Sequence, residues 1–155
     1  MEPWKLPPAA KVYEALSAVA DRRVRFTGET EAEVTSSAGE KVYRVRWNED
    51  MTLVTSDDNA SRWQGYLGYP ILAVLMARGK LDYLESAASS LAGIPWKAIN
   101  RRFRNDYGRA VESVLAEIAV KGVDTGAIRR EVDRIMALLG QLRLGRMPAA
   151  KRPPR

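Results

Sequence analysis

The chain has 155 residues, 46% of them hydrophobic and 28% charged, with a formal net charge of +6, the composition of one ordinary globular domain. It has no cysteine and no histidine, which excludes disulfides, thiolate chemistry, Cys/His zinc sites, His-ligated haem and every histidine-based triad. Arg143, Arg146, Lys151, Arg152 and Arg155 lie in residues 141–155 without an acid, so the body is nearly neutral and residues 143–155 read as a basic flexible tail.

Residues 1–8 contain Pro3, Pro7 and Pro8 and are expected to run extended, with Trp4 as an anchor. With Glu2 and Lys5 among those prolines no hydrophobic leader is visible, and a cytoplasmic protein is expected. Arginine outnumbers lysine, which leans towards a thermophile-like composition. A first helix is predicted from Ala9 to Asp21, with Val12, Leu16 and Val19 at helical spacing.

The period then shortens to two. Arg23–Thr27, Glu31–Thr35, Lys41–Trp47 and Met51–Thr55 each read as a strand, separated by Thr27-Gly28, the 36–39 turn and Asn48-Glu49-Asp50. An antiparallel meander with one wet face is expected. On that face Glu31 and Glu33 would lie between Arg23 and Arg25 on one side and Arg44 and Arg46 on the other. The expected result is a neutralised charge ladder rather than a phosphate-gripping surface.

Residues 56–69 form a polar loop holding Asp57, Asp58, Asn59, Arg62, Trp63, Gln64 and two tyrosines, Tyr66 and Tyr69. Loops of this kind carry ligands, and turn and cap chemistry explains the same residue types. The loop starts like an EF-hand, but Arg62 replaces the required glycine and Gly68 the closing glutamate, so calcium is not expected. No metal and no cofactor is assigned. From Ile71 to Ala77 every residue is apolar. A segment apolar all round is buried, so a central helix is predicted, entered at Pro70 and stopped at Gly79.

Helices follow to residue 142. Leu81–Ala92 predicts a short one, broken at Gly93. The next begins at Pro95 with Trp96, Ile99 and Phe103 on one face, and Asn105–Gly108 interrupts it before Val111, Leu115 and Ile118. The last helix, capped by Asp124, spaces Ile128, Val132, Ile135, Leu139 and Leu142 by alternating fours and threes. That pattern suits core packing and also a homodimer seam.

Residues 84–104 combine a small-residue helix, a glycine turn and a basic helix. They resemble the helix-turn-helix of lactose-repressor-type DNA-binding proteins in Ser89, Gly93, Ile94 and Ile99. One position differs: Arg102 stands where that motif has an apolar residue, and Phe103 follows it. The resemblance implies that the second helix enters a DNA groove and presents Lys97, Asn100, Arg101 and Arg104 to bases and phosphates.

The combined expectation is an α+β fold: an N-terminal helix, a four-stranded antiparallel meander, then a helical part around a buried central helix. Residues 1–142 form a single domain, with the sheet in 23–55 and helices in 66–142. Its expected function is DNA or RNA binding through Lys97, Asn100, Arg101 and Arg104, assisted by Arg143, Arg146, Lys151 and Arg152. The alternative is a non-catalytic interaction or assembly domain. An enzyme working from the 56–69 loop ranks below both, because no Walker loop, G-x-G-x-x-G or G-x-S-x-G occurs.

Overall fold

A computed structural model describes residues 2–148. Helix α1 spans Ala9–Ala20, directly after Pro8, and is buried almost all round from Ala10 to Ala18. It packs on four other helices and is as central as the apolar segment that follows the sheet. Burial extends to three polar residues on it, Lys11, Glu14 and Ser17, a feature that its apolar spacing did not foretell.

Strands β1 (Val24–Gly28), β2 (Glu31–Thr35), β3 (Val42–Trp47) and β4 (Leu53–Ser56) make the expected meander in sequence order. The register puts Val24, Val34 and Tyr43 in one inward row and Phe26, Ala32 and Val45 in the next. Phe26 closes the open end edge-on against Trp47, with ring centroids 6.1 Å apart. On the outer face Arg25 pairs with Glu33 and Glu33 with Arg44, while Glu31 faces Arg46. The ladder is partly neutralised: Arg25 meets Glu33 at 2.8 Å and Arg44 reaches Glu31 at 3.6 Å. Arg23 is not on this face, because it precedes β1 and donates from Nη1 to the Thr35 carbonyl at 2.8 Å.

A fifth strand corrects the expected boundary at residue 142. β5 (Gly145–Arg146) pairs in parallel with β4, and Leu144 is buried in the core. The sheet is therefore five-stranded and mixed, and residues 143–148 belong to the folded body. Trp4 explains the ordering: its indole donates to the carbonyls of Val54 and Gly145, tying the N-terminal segment across both strands.

Helix α2 (Tyr69–Arg78) is the predicted central helix, with Pro70 in its first turn and every side chain from Pro70 to Met76 buried. It packs on α1 and on all four strands of the meander. Then come α3 (Glu85–Ser90), α4 (Trp96–Arg102), α5 (Tyr107–Val120) and α6 (Thr125–Gln141). Gly93 turns the chain between α3 and α4 at φ +73°, a conformation that a side chain disfavours. Arg104 and Asn105 also take left-handed φ values, of 53° and 63°. They end the basic helix before Asp106 caps α5 by accepting from the Arg109 N–H. Asp124 caps α6 in the same way at the Ala127 N–H.

The heptad-like stripe of α6 faces inward. Ile128, Val132, Ile135 and Leu139 are buried in the chain's own core, and Leu142 packs against it. This corrects the homodimer seam, since residues that fill one protomer's interior cannot meet a second copy without unfolding it.

Candidate functional site

Three polar residues of α1 set up the site. Lys11, Glu14 and Ser17 recur every three residues, so they line one side of the helix, and that side faces α4. Glu14 Oε1 accepts from Asn100 Nδ2 at 2.7 Å, and Lys11 Nζ lies 3.2 Å from Glu14 Oε2. The Lys11 ammonium also sits 4.1 Å from the centre of the Tyr107 ring, a cation–π distance. Ser17 donates to the Leu91 carbonyl and accepts from the Trp96 indole at 2.8 Å. Burial acts to lower the Lys11 pKa, but Glu14 and Tyr107 together outweigh it and the net shift is upward, so the ammonium stays charged.

Above this ladder opens a cavity of about 510 Å³ between α1, the sheet's inner edge and the α4–α5 junction. Its cationic groups are Lys11, Arg23, Lys97, Arg101 and Arg104, against a single acid, Glu14. Arg101 and Arg104 are exposed and make no ion pair among the described residues. Lys97 is engaged: its ammonium pairs with Glu40, and its backbone N–H donates to Ser37 Oγ.

A second hollow of about 400 Å³ continues from the first. Both are lined by Lys11, Tyr43, Tyr69 and Tyr107, and the second adds Tyr66, Trp63, Asn59 and Gln64. Tyr43 and Tyr69 meet edge-to-face at 6.1 Å. Burial drives the Tyr69 hydroxyl pKa well upward in spite of Arg23 beside it, so it remains a neutral phenol. Trp63 is 73% exposed, a large flat ring left open to solvent. One groove therefore runs from a cationic end to an aromatic end.

The sequence-predicted residues divide among several places. Lys97, Arg101 and Arg104 share the cationic end. Asn100 does not stand clear of the protein: it is 8% exposed and spends its amide on Glu14. This corrects the outward face implied by the helix-turn-helix resemblance. α3 has six residues and α4 seven, and Arg104 lies past the end of α4. Three cationic groups thus gather at a groove rather than along a projecting helix. Arg143 is exposed outside the groove; Arg146 lies on β5, ion-paired to Glu2 at 3.3 Å. Lys151 and Arg152 fall outside the described residues.

In the 56–69 loop, Asp58 is a structural group. Its carboxylate accepts from the Ser61 N–H and hydroxyl, and Ser61 Oγ accepts from the Gly68 N–H. A Cβ on Gly68 would overlap the Asp58 carboxylate, which the absence of a side chain here avoids. Asp57 accepts from the Arg44 N–H. Ala60–Gln64 forms a π-helical turn carrying Arg62 and Trp63. The loop chemistry, with Tyr66 and Tyr69, was legible in the sequence, but Lys11, Tyr43 and Tyr107 were missed. One signal was available: Lys11, Glu14 and Ser17 at three-residue spacing on an otherwise apolar helix.

Among the described residues no cluster of three or more acids gathers as a metal site, and no helix is long and apolar enough to cross a membrane. Residues 4–145 match the model of a family described as Uncharacterised conserved protein UCP014422, and the chain belongs to that family. No curated protein and no solved structure matches the chain.

Proposed function

We propose that this member of the family binds single-stranded nucleic acid in the groove. Phosphates would sit at Arg101 and Arg104, with bases on the tyrosines and Trp63. The observation that carries the reading is the sharing of Lys11, Tyr43, Tyr69 and Tyr107 by the cationic and aromatic hollows. A polyanion with planar bases needs both surfaces in one track, and stacking on aromatic side chains contributes roughly 1–3 kcal/mol per base. Duplex reading fits less well. It calls for a projecting helix with free donors, whereas α4 is short, Asn100 is turned inward and Lys97 is paired.

The test is fluorescence anisotropy with labelled 12-nucleotide DNA and RNA strands and their duplexes, across a salt series. The strands should bind at least tenfold tighter than the duplexes. Arg101→Ala/Arg104→Ala should weaken strand binding and lower the slope of log affinity against log salt by about 1.4, near 0.7 for each lost phosphate contact. Tyr107→Ala should weaken binding and leave that slope unchanged. Equal affinity for strand and duplex, or none for either, would rule the proposal out.

A further inference from the structure

A second cationic pocket lies on the sheet's outer face, on the other side of the π-helical turn. It has a volume of about 450 Å³ and is lined by Arg44 and Arg46 of β3, Arg62 of the turn and Arg146 of β5, with Trp4 beside them. Asp57 is the one acid in its lining, and that carboxylate already accepts from the Arg44 backbone N–H.

Four guanidinium groups around one hollow repel each other unless counter-charges hold them. The counter-charges here are sparse. Arg44 reaches Glu31 at only 3.6 Å, Arg146 has Glu2 of the N-terminal segment at 3.3 Å, and Arg46 and Arg62 have no ion pair among the described residues. The outer-face ladder that neutralises Arg25 leaves Arg46 out. Its cross-strand neighbours are Glu31, which is in contact with Arg44 instead, and uncharged Thr55.

One wall of the pocket is also held in place. Arg146 lies 4.9 Å from the Trp4 ring centre, and Trp4 is fixed by its two hydrogen bonds to backbone carbonyls of β4 and β5. A cluster of planar, permanently charged forks, with Arg146 fixed in this way, suits phosphate oxygens.

The π-helical turn joins this pocket to the groove. Arg62 lines the pocket while the next residue, Trp63, lines the aromatic hollow, and the Arg62 guanidinium lies 5.4 Å from the Trp63 ring centre. Asp57 and Asp58 divide between the two sides in the same way.

We infer that the arginine pocket is a second phosphate-binding site, reached by the same strand after it crosses the ridge at Trp63. This inference rests on the groove reading and makes it more specific: the ligand is a polynucleotide of several residues, not a mononucleotide.

The experiment is a length series of labelled oligothymidylates of 3, 6 and 12 nucleotides, measured with the full chain and with Arg44→Ala/Arg46→Ala. Neither substituted residue lines the groove. The parent should gain at least tenfold in affinity between the 3-mer and the 12-mer. In the double variant that gain should vanish, with 3-mer affinity unchanged and the 12-mer salt slope lower by about 1.4. A thermal melt matching the parent's establishes that the variant is folded, and Arg44→Lys/Arg46→Lys, which keeps the charge, should recover part of the gain. If the 3-mer binds but length adds nothing, or the variant holds the 12-mer as the parent does, the second site is wrong and the groove stands. If no oligomer binds the parent, the groove reading fails and this one with it.

Discussion

Lys11 and Glu14 are charged groups inside a helix that is otherwise core, each less than a tenth exposed. Removing one partner of a buried pair leaves the other charge uncompensated and costs about 3–5 kcal/mol. Glu14→Gln and Lys11→Met should each lower the unfolding free energy by that order, read as a lower urea midpoint, whereas Lys11→Met/Glu14→Leu together should recover much of it. Recovery in the double variant separates ion pairing from simple loss of packing, and a double variant no more stable than the singles would contradict the pair. The net pKa of Lys11 is raised above its ordinary value. Its contribution to stability is therefore complete below about pH 10.5 and is lost as pH climbs through the folded value. The residue was visible in the sequence, but its role was not: a lysine in a helix is ordinarily exposed, and only packing on all sides of α1 puts this one indoors.

Between elements, Glu131 of α6 does the comparable work. Its carboxylate accepts from the Leu84 N–H at the start of α3 and from Arg134 Nε at 2.6 Å. These bonds hold its pKa below the ordinary glutamate value, Arg134 contributing most. A lowered carboxylate pKa means stability that is present above about pH 4.5 and is lost as pH falls through the folded value. Glu131→Gln should cost about 1–3 kcal/mol at pH 7, in line with losing hydrogen bonds to a charged group. The difference between the variant and the parent should shrink as pH falls below 4.5. Denaturant titrations at pH 7, 4.5 and 3 check this, and a difference independent of pH would contradict it.

At the same scale the sequence located most elements and missed β5. The period-two runs and their turns predicted the first four strands within two residues, because alternation on a one-sided sheet is a local property. Strand β5 was not legible. It is two residues long, and it forms because Trp4 and β4, far away in sequence, supply its partners.

For the whole molecule, the α6 stripe decides what kind of assembly is to be expected. Ile135 is fully buried within the chain, so Ile135→Ala should destabilise by about 2–5 kcal/mol through the cavity it leaves. The urea midpoints of parent and variant should not move with protein concentration. A dimer held by this seam would show a midpoint that rises with concentration, so such a rise would return the seam to the surface. The charge distribution is also a whole-molecule property. The net +6 is not a property of the C-terminal residues alone: Arg146 is folded into the sheet beside Arg44, Arg46 and Arg62, and Arg23, Arg101 and Arg104 meet at the groove.

The sequence by itself determined the α+β class, the order of the helices and the first four strands, the buried identity of α2 and the cap of α6. Each of these depends on residues within a few positions of one another, where periodicity and capping chemistry act. Only the tertiary structure decided which charges would be inside, which arginines would converge and which tyrosines would share a groove. Lys11, Tyr43, Tyr69 and Tyr107 come from four separate elements, and their meeting depends on how α1, the sheet, α2 and α5 pack, which no local pattern encodes.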